Sequence, residues 1–296
     1  MDILRCEPKE LLKALVRFPS LSTNEQELVD WLDKAVQNTG LLEVERFGDN
    51  IMFSISSGIQ GPWLLLNSHS DVVPPSGNHL GDPFNPEERD GCIWGRGTTD
   101  AKGCGTAMLR SLLELSHSGW KPAKGRVSFA LTICEETSGE FNGMAYLRSL
   151  MDDGRLPKPD AALIGEPTSL APCIAQKGLL VLRLTTQGES GHAARIYGDN
   201  AIYEMAKALQ KLQQIEFEVQ NPFIGNAKIT PTRISAGTVN NAMPEKTEVI
   251  LDVRTIPEVS NDTIIETIRE TLGCTVNVLS DRFVSTQTDE TSIIAQ

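Results

Sequence analysis

The chain has 296 residues, with 27 Lys and Arg against 39 Asp and Glu, giving a formal net charge of −12. Its 40% hydrophobic and 22% charged residues are those of a folded chain and exclude wholesale disorder. The acidic balance, without a Lys/Arg cluster, argues against nucleic acid or an anionic membrane surface as a partner.

Pro8 opens a helical pattern over residues 9–18, and Pro19 closes it. Ser22 and Glu25 form a capping box for a second helix, whose Leu28, Trp31, Leu32 and Ala35 share one face. Strand patterns follow at 44–47, 51–55 and 63–67, then a loop rich in Pro, Gly and Asp over 73–99, a length that marks functional loops. Next come a helix over 103–117 stopped by Gly119, a strand over 127–133, a helix over 143–150 and a strand over 161–164. Apolar strands alternating with helices predict an α/β domain with a mostly parallel sheet covered on both faces.

After about residue 176 the pattern changes to strand 178–187, helix 201–214, strands 228–238 and 247–254, helix 261–272 and strand 274–279. Ser260 is placed as the N-cap of the last helix and Gly273 as its stop. This β-α-β-β-α-β order is the ferredoxin-like unit, a four-stranded antiparallel sheet with two helices on one face. The expected organisation is a domain over 1–175, a second over 176–284, and a stub over 285–296 returning toward the first. No apolar run is long enough to span a bilayer, and the first residues lack a signal-peptide core. The six cysteines contain no C-x-x-C pair and read as thiols of a reducing compartment, which points to the cytoplasm.

Polar clusters stand where apolar strands end: His69-Ser70-Asp71 after WLLLNS, Glu135-Glu136 after VSFALTIC, and Glu166 after AALIG. Asp100 closes the long loop ahead of the next helix. In open parallel sheets, ligands bind at the carboxyl ends of the strands. Taken singly, H-x-D is common, a Glu-Glu pair is usually a solvated face, and Glu166 fits a turn. Together they gather carboxylates that repel one another unless a cation holds them, and an oxygen-rich set with one imidazole suits zinc, cobalt or manganese. Asp71, two residues from His69, is placed to orient the imidazole. In the Glu135-Glu136 pair one carboxylate can bind metal while its neighbour serves as general base.

The motifs LLLNSHSDVVP, GRGTTDAKGCG, TICEETSG, LIGEPTS, SGHAAR and NNAMPEKTEVILDVRT resemble, in order, those of the di-zinc aminoacylase/carboxypeptidase metallopeptidase family. Within it, the chain is most similar to the acetylornithine deacetylase and succinyl-diaminopimelate desuccinylase group. The resemblance implies two zinc or cobalt ions per complete subunit. His69 and Glu166 would hold one, Glu136 the other, and Asp100 would bridge them. It implies Glu135 as general base, Asp71 as the residue orienting His69, and a cis peptide at Asp100–Ala101. It further implies that the second domain is a lid that forms a homodimer. There His192 would reach the partner's site to hold the substrate carbonyl, while Asn241 and Arg254 contact substrate. Taken alone, His192 reads as a loop residue and Arg254 as an ordinary surface cation. Arg195 is a further candidate for reading a substrate carboxylate.

Family members continue past the point where this chain ends, and their returning segment carries a last ligand, a His. No His follows His192 here. The expectation is therefore a C-terminally incomplete catalytic domain whose second metal site keeps only Asp100 and Glu136, with doubtful activity on its own. The function expected from the resemblance is hydrolysis of an N-acyl amino acid, acetylornithine to ornithine and acetate in arginine biosynthesis being the first choice. The alternatives are succinyl-diaminopimelate desuccinylase, a dipeptidase, or an inactive truncated homologue that acts as a binding protein.

Overall fold

Tight turns set the direction of the first strands. Gly48, at φ +63°, and Asp49 form the two-residue link between β1 (Glu43–Phe47) and β2 (Asn50–Ser56), so these pair antiparallel. The computed structural model describes residues 2–77, 81–137, 141–194 and 198–292, and the chain divides into two compact units between Ala171 and Pro172.

In the first unit, α1 (Pro8–Val16) and α2 (Gln26–Gln37) precede the hairpin. β3 (Trp63–His69) follows it, and the small strands β4 (Glu87–Arg89) and β5 (Cys92–Trp94) interrupt the long segment expected as loop. Their turn is Asp90-Gly91, both at positive φ, the pair that a tight hairpin favours. Then come α3 (Lys102–His117), β6 (Arg126–Thr132), α4 (Gly143–Asp152) and β7 (Ala161–Ile164).

The sheet order is β1-β2-β6-β3-β7. β3 runs parallel to β6 and β7, but β2 runs antiparallel to both β1 and β6. The expectation of a mostly parallel sheet is thus corrected to a mixed one. The reason is connection length: a two-residue link can only fold back, whereas the segments holding α3 and α4 are long enough to cross over. Alternation along the strands fills both faces. Ile51, Phe53, Ile55, Phe129 and Leu131 pack with leucines of α1, α2 and α3, while Met52, Trp63, Leu65 and Ala130 pack with Leu147 and Leu150 of α4.

In the second unit, β8 (Ala175–Gln176) leads into β9 (Gly178–Gln187) and β10 (Gly191–His192), then α5 (Ala201–Leu212) and β11 (Lys228–Ala236). β12 (Ala242–Met243), β13 (Lys246–Thr255), α6 (Asn261–Leu272), β14 (Thr275–Phe283) and β15 (Thr286–Gln287) complete it. The four-stranded sheet is antiparallel throughout, in the order β11-β13-β9-β14. Leu180, Leu182, Leu184, Val249, Leu251 and Val253 turn one face onto α5 and α6, as expected for the β-α-β-β-α-β order. The Ser260 side chain accepts the Thr263 N–H at the start of α6, and Gly273 ends that helix at φ +64°. Among the described residues, no helix is long and apolar enough to cross a membrane.

Candidate metal centre

The parallel pairing of β3 with β6 and β7 brings three strand exits to one rim. β3 ends at His69. β6 ends at Thr132, three residues before Glu135. β7 ends at Ile164, whose pairing with Asn67 sets Glu166 beside the end of β3. Gly165 is pinned between them: its N–H donates to Asn67 O at 2.7 Å and its carbonyl accepts the Ser68 hydroxyl at 3.0 Å. A Cβ there would meet the Met108 Cε of α3 at 2.8 Å and Cys104 Cβ at 3.1 Å, so a larger residue would require the Met108 side chain to move aside. The fourth element is the entry to α3, where the Asp100–Ala101 peptide is cis, as the motif resemblance implied.

His69 is buried, and its Nδ1 lies 2.9 Å from the main-chain oxygen of Asp71. Nε2 is thereby turned to Asp100 Oδ1 at 2.9 Å and Glu166 Oε1 at 3.8 Å. One donor atom each from His69, Asp100 and Glu136 fall within 4.8 Å of one another. The structure therefore gathers His69, Asp100, Glu136 and Glu166, residues far apart in sequence. Burial pushes the Glu166 carboxyl up to about 7, with the charges of Asp100, Glu135 and Glu136 adding to it against the opposing pull of His69. Glu136 is raised for the same reasons, burial first and then Asp100. Burial would lower His69, but Asp71, Glu166 and Asp100 outweigh it and hold the imidazole up at about 9. Carboxylates crowded in this way around one imidazole nitrogen are a donor set that fits a borderline divalent ion such as zinc, cobalt or manganese.

Asp71 does more than face the ring. Its carboxylate is 3.4 Å from His69 Nδ1, farther than its own main-chain oxygen, and it accepts the N–H groups of Glu135 at 3.0 Å and Glu136 at 3.1 Å. It also accepts the Ser22 hydroxyl at 2.7 Å. Although burial opposes ionisation, these bonds and His69 hold its pKa below the ordinary value. Glu135 stands exposed on the turn so fixed.

The capping box expected at Ser22 and Glu25 does not form. The N-cap of α2 is Glu25 itself, with no side-chain capping bond, because Ser22 is bonded to Asp71 and Glu25 accepts the Cys134 N–H at 2.9 Å. Lys102 is another residue that sequence reasoning passed over. It is buried, and its Nζ donates to Leu15 O and Phe18 O at 3.0 and 2.8 Å. A cation in the first turn of a helix opposes the helix dipole, and that conflict was the available signal.

The remaining candidates lie in the second unit. β10 pairs with β12, so exposed His192 sits opposite Ala242, and the Ala193 N–H donates to the Asn241 carbonyl at 2.9 Å. His192 and Asn241 are therefore neighbours. Arg254 is not with them. It lies near the far end of β13, ion-paired to Asp252 at 2.9 Å. Arg195 lies outside the described residues.

The sequence profile of peptidase family M20/M25/M40 matches residues 65–288. Two similar curated proteins are succinyl-diaminopimelate desuccinylases. That of Wolbachia pipientis subsp. Culex pipiens (strain wPip) is 29% identical over 262 residues, covering 85% of this chain and 65% of that protein. That of Wolbachia sp. subsp. Brugia malayi (strain TRS) is 28% identical over 254 residues, covering 80% and 62%. The chain thus spans less than two thirds of the length of these relatives. Among solved structures, a tripeptidase from Staphylococcus aureus superposes with a TM-score of 0.74 at 19% identity, covering 97% of this chain and 78% of that one. A dinuclear metal-binding peptidase from Bacillus subtilis gives 0.69 at 18% identity, covering 95% and 75%. At these identities, the structural likenesses speak to the fold alone.

Proposed function

The chain belongs to peptidase family M20/M25/M40, and from that premise we propose that it is a metal-dependent hydrolase of the amide bond in an N-acyl amino acid. The observation that carries this reading is the convergence of His69, Asp100 and Glu136 within 4.8 Å, with Glu166 beside His69. These four residues would hold the metal. When bound, the ion supplies Lewis-acid stabilisation of developing negative charge and acidifies the attacking water.

The protein's own part is positioning and proton transfer. The carboxylate of Glu135, on the turn held by Asp71, takes a proton from the attacking water as its oxygen bonds the acyl carbon. The proton then passes to the amine nitrogen as the C–N bond breaks. Asp71 fixes that turn and the His69 ring through separate atoms.

The names of the two relatives favour an N-succinyl amino acid such as succinyl-diaminopimelate, and with it a step of the lysine and diaminopimelate route. They displace acetylornithine and arginine biosynthesis as the first choice. In the same reading residues 1–175 are the catalytic domain, 176–284 a lid that forms a homodimer, with His192 reaching the partner's site and Asn241 and Arg254 contacting substrate, and 285–296 the return stub. The metal is zinc or cobalt. Hydrolysis of succinyl-diaminopimelate, acetylornithine and a dipeptide, measured before and after chelation and zinc restoration, tests the proposal. Turnover should be greatest on the succinyl substrate and vanish on chelation. Metal-independent turnover, or none on any amide with zinc bound, overturns it.

A further inference from the structure

The end of α1 and its connection to α2 touch three of the four segments that carry a candidate ligand, those of His69, Asp100 and Glu136. At its start, Leu15 O and Phe18 O receive Lys102, two residues beyond Asp100. In its middle, the Ser20 hydroxyl donates to Ser70 O at 2.7 Å, and Ser20 O accepts the Val72 N–H at 2.9 Å, so the main chain on both sides of Asp71 is held. Ser22 reaches the Asp71 carboxylate. At its end, Glu25 accepts the Cys134 N–H at 2.9 Å and lies 3.4 Å from the Cys134 thiol, which donates to it.

The last contact is the least expected. Glu25 is 2% exposed, and its carboxylate accepts from the N–H and the thiol of Cys134. Burying a carboxylate is costly unless hydrogen bonds compensate it. Its compensation comes from the turn that launches Glu135 and Glu136. Cys134 adopts φ +54°, a left-handed conformation uncommon for a residue with a side chain. Alternating handedness in a turn points successive N–H groups to one side and makes an anion-receiving concavity. Here three successive N–H groups, of Cys134, Glu135 and Glu136, are taken by two carboxylates, Glu25 and Asp71.

We infer that Glu25 and Ser22 are positioning residues of the metal site: Glu25 holds the left-handed turn at Cys134, Ser22 holds Asp71, and together they assign Glu135 and Glu136 their separate places. Neither touches substrate or metal. The inference rests on the hydrolase reading for its effect on turnover, but not for its effect on the turn.

The experiment compares Glu25→Ala, Glu25→Gln and Ser22→Ala with Val36→Ala, a core truncation at the far end of α2. Amide hydrogen exchange of residues 134–136 by NMR, zinc affinity by calorimetry, and kcat and KM are measured on the full chain. In Glu25→Ala the three amides should exchange at least about tenfold faster, and zinc affinity or kcat should fall by about 10–100-fold with little change in KM, the size usual for groups that orient metal ligands. Glu25→Gln should recover most of this, since its amide oxygen still accepts the Cys134 N–H. Ser22→Ala should loosen Glu135 and Glu136 more than Cys134. Val36→Ala should lower Tm while leaving amide protection and kcat unchanged. Should Glu25→Ala fail to fold, Glu25→Asp withdraws the carboxylate by one methylene and is read in the same way. Equal effects of Val36→Ala and the Glu25 variants on exchange and zinc affinity would overturn the inference. If the variants show these exchange effects while the wild-type chain hydrolyses no amide, the hydrolase reading is overturned and the positioning role stands.

Discussion

His69 Nε2 lies 2.9 Å from Asp100 Oδ1, across 31 positions of sequence and between the end of a strand and the cis peptide ahead of a helix. His69 is fixed from behind through Nδ1 and the Asp71 main chain. Its Nε2 is thereby turned to the Asp100 carboxylate, whose side chain is 53% exposed, which is the arrangement expected of ligands that share an ion.

A ligand that binds only the folded state raises stability by mass action, by about 2.7 kcal/mol at a hundredfold excess over Kd. Zinc added to the chelated chain should therefore raise Tm. Most of that shift should disappear in Asp100→Ala, which loses the carboxylate nearest His69. Thermal melts with and without zinc check this, and an undiminished shift in the variant would remove Asp100 from the ligand set.

Glu135→Gln should keep its metal and lose turnover. The main-chain bond to Asp71 remains and Glu136 is untouched, so only the proton acceptor is removed. General-base catalysis is worth roughly 10²–10⁴-fold, and kcat should fall by that much. Zinc content is measured on the same sample. Loss of zinc would mean that Glu135 is the ligand and Glu136 the base.

Much of this architecture is legible in the chain, for local reasons. Leu180, Leu182 and Leu184 alternate, and β9 begins and ends where the alternation predicts. Ser260 and Gly273 cap α6 because their chemistry allows little else. Strand direction is another matter. Alternation is the same in parallel and antiparallel strands, so the mixed sheet had to be read from the short Gly48-Asp49 link. The Asp90-Gly91 hairpin was equally available and was lost inside a segment judged by its length. Ser22 and Glu25 show the deeper limit. A capping box and a pair of long-range acceptors need the same residue types, and only the fold decides that Ser22 meets Asp71, 49 residues away, and that Glu25 meets Cys134, 109 residues away.

Burial raises the Glu25 carboxyl above its ordinary value, and Asp71 adds to this against the hydrogen bonds from Cys134. For an acid whose pKa is raised by folding, the stabilising contribution is present below the unfolded value, near 4.5, and is lost as pH rises through the folded value. Glu25→Gln cannot ionise. Its stability relative to wild type should therefore climb from about pH 4.5 upward, and urea unfolding across that range measures it. A difference that does not change with pH would mean that the carboxyl has the same pKa in both states.

The second unit leaves β11 at the sheet edge, paired on one side by β13 and with no strand on its other side among the described residues. Unpaired N–H and C=O groups along such a strand are a template for another strand, and proteins that stay monomeric usually blunt them with charge, proline or a covering element. Here Pro231 and Arg233 break the register near the middle, but Thr232 through Ala236 remain exposed, with Ile234 59% exposed. An apolar side chain on an open edge favours pairing with an identical edge, and a two-fold axis makes such a contact self-complementary. The chain should therefore run as a dimer in light scattering. Ile234→Lys should shift it to monomer while leaving zinc binding by the first unit intact, because His69, Asp100, Glu136 and Glu166 all precede Ala171. If turnover falls with the dimer in that variant, the partner's lid supplies part of the site, as proposed for His192. A wild-type monomer with full turnover would remove His192 from that role and leave it an ordinary exposed residue of β10.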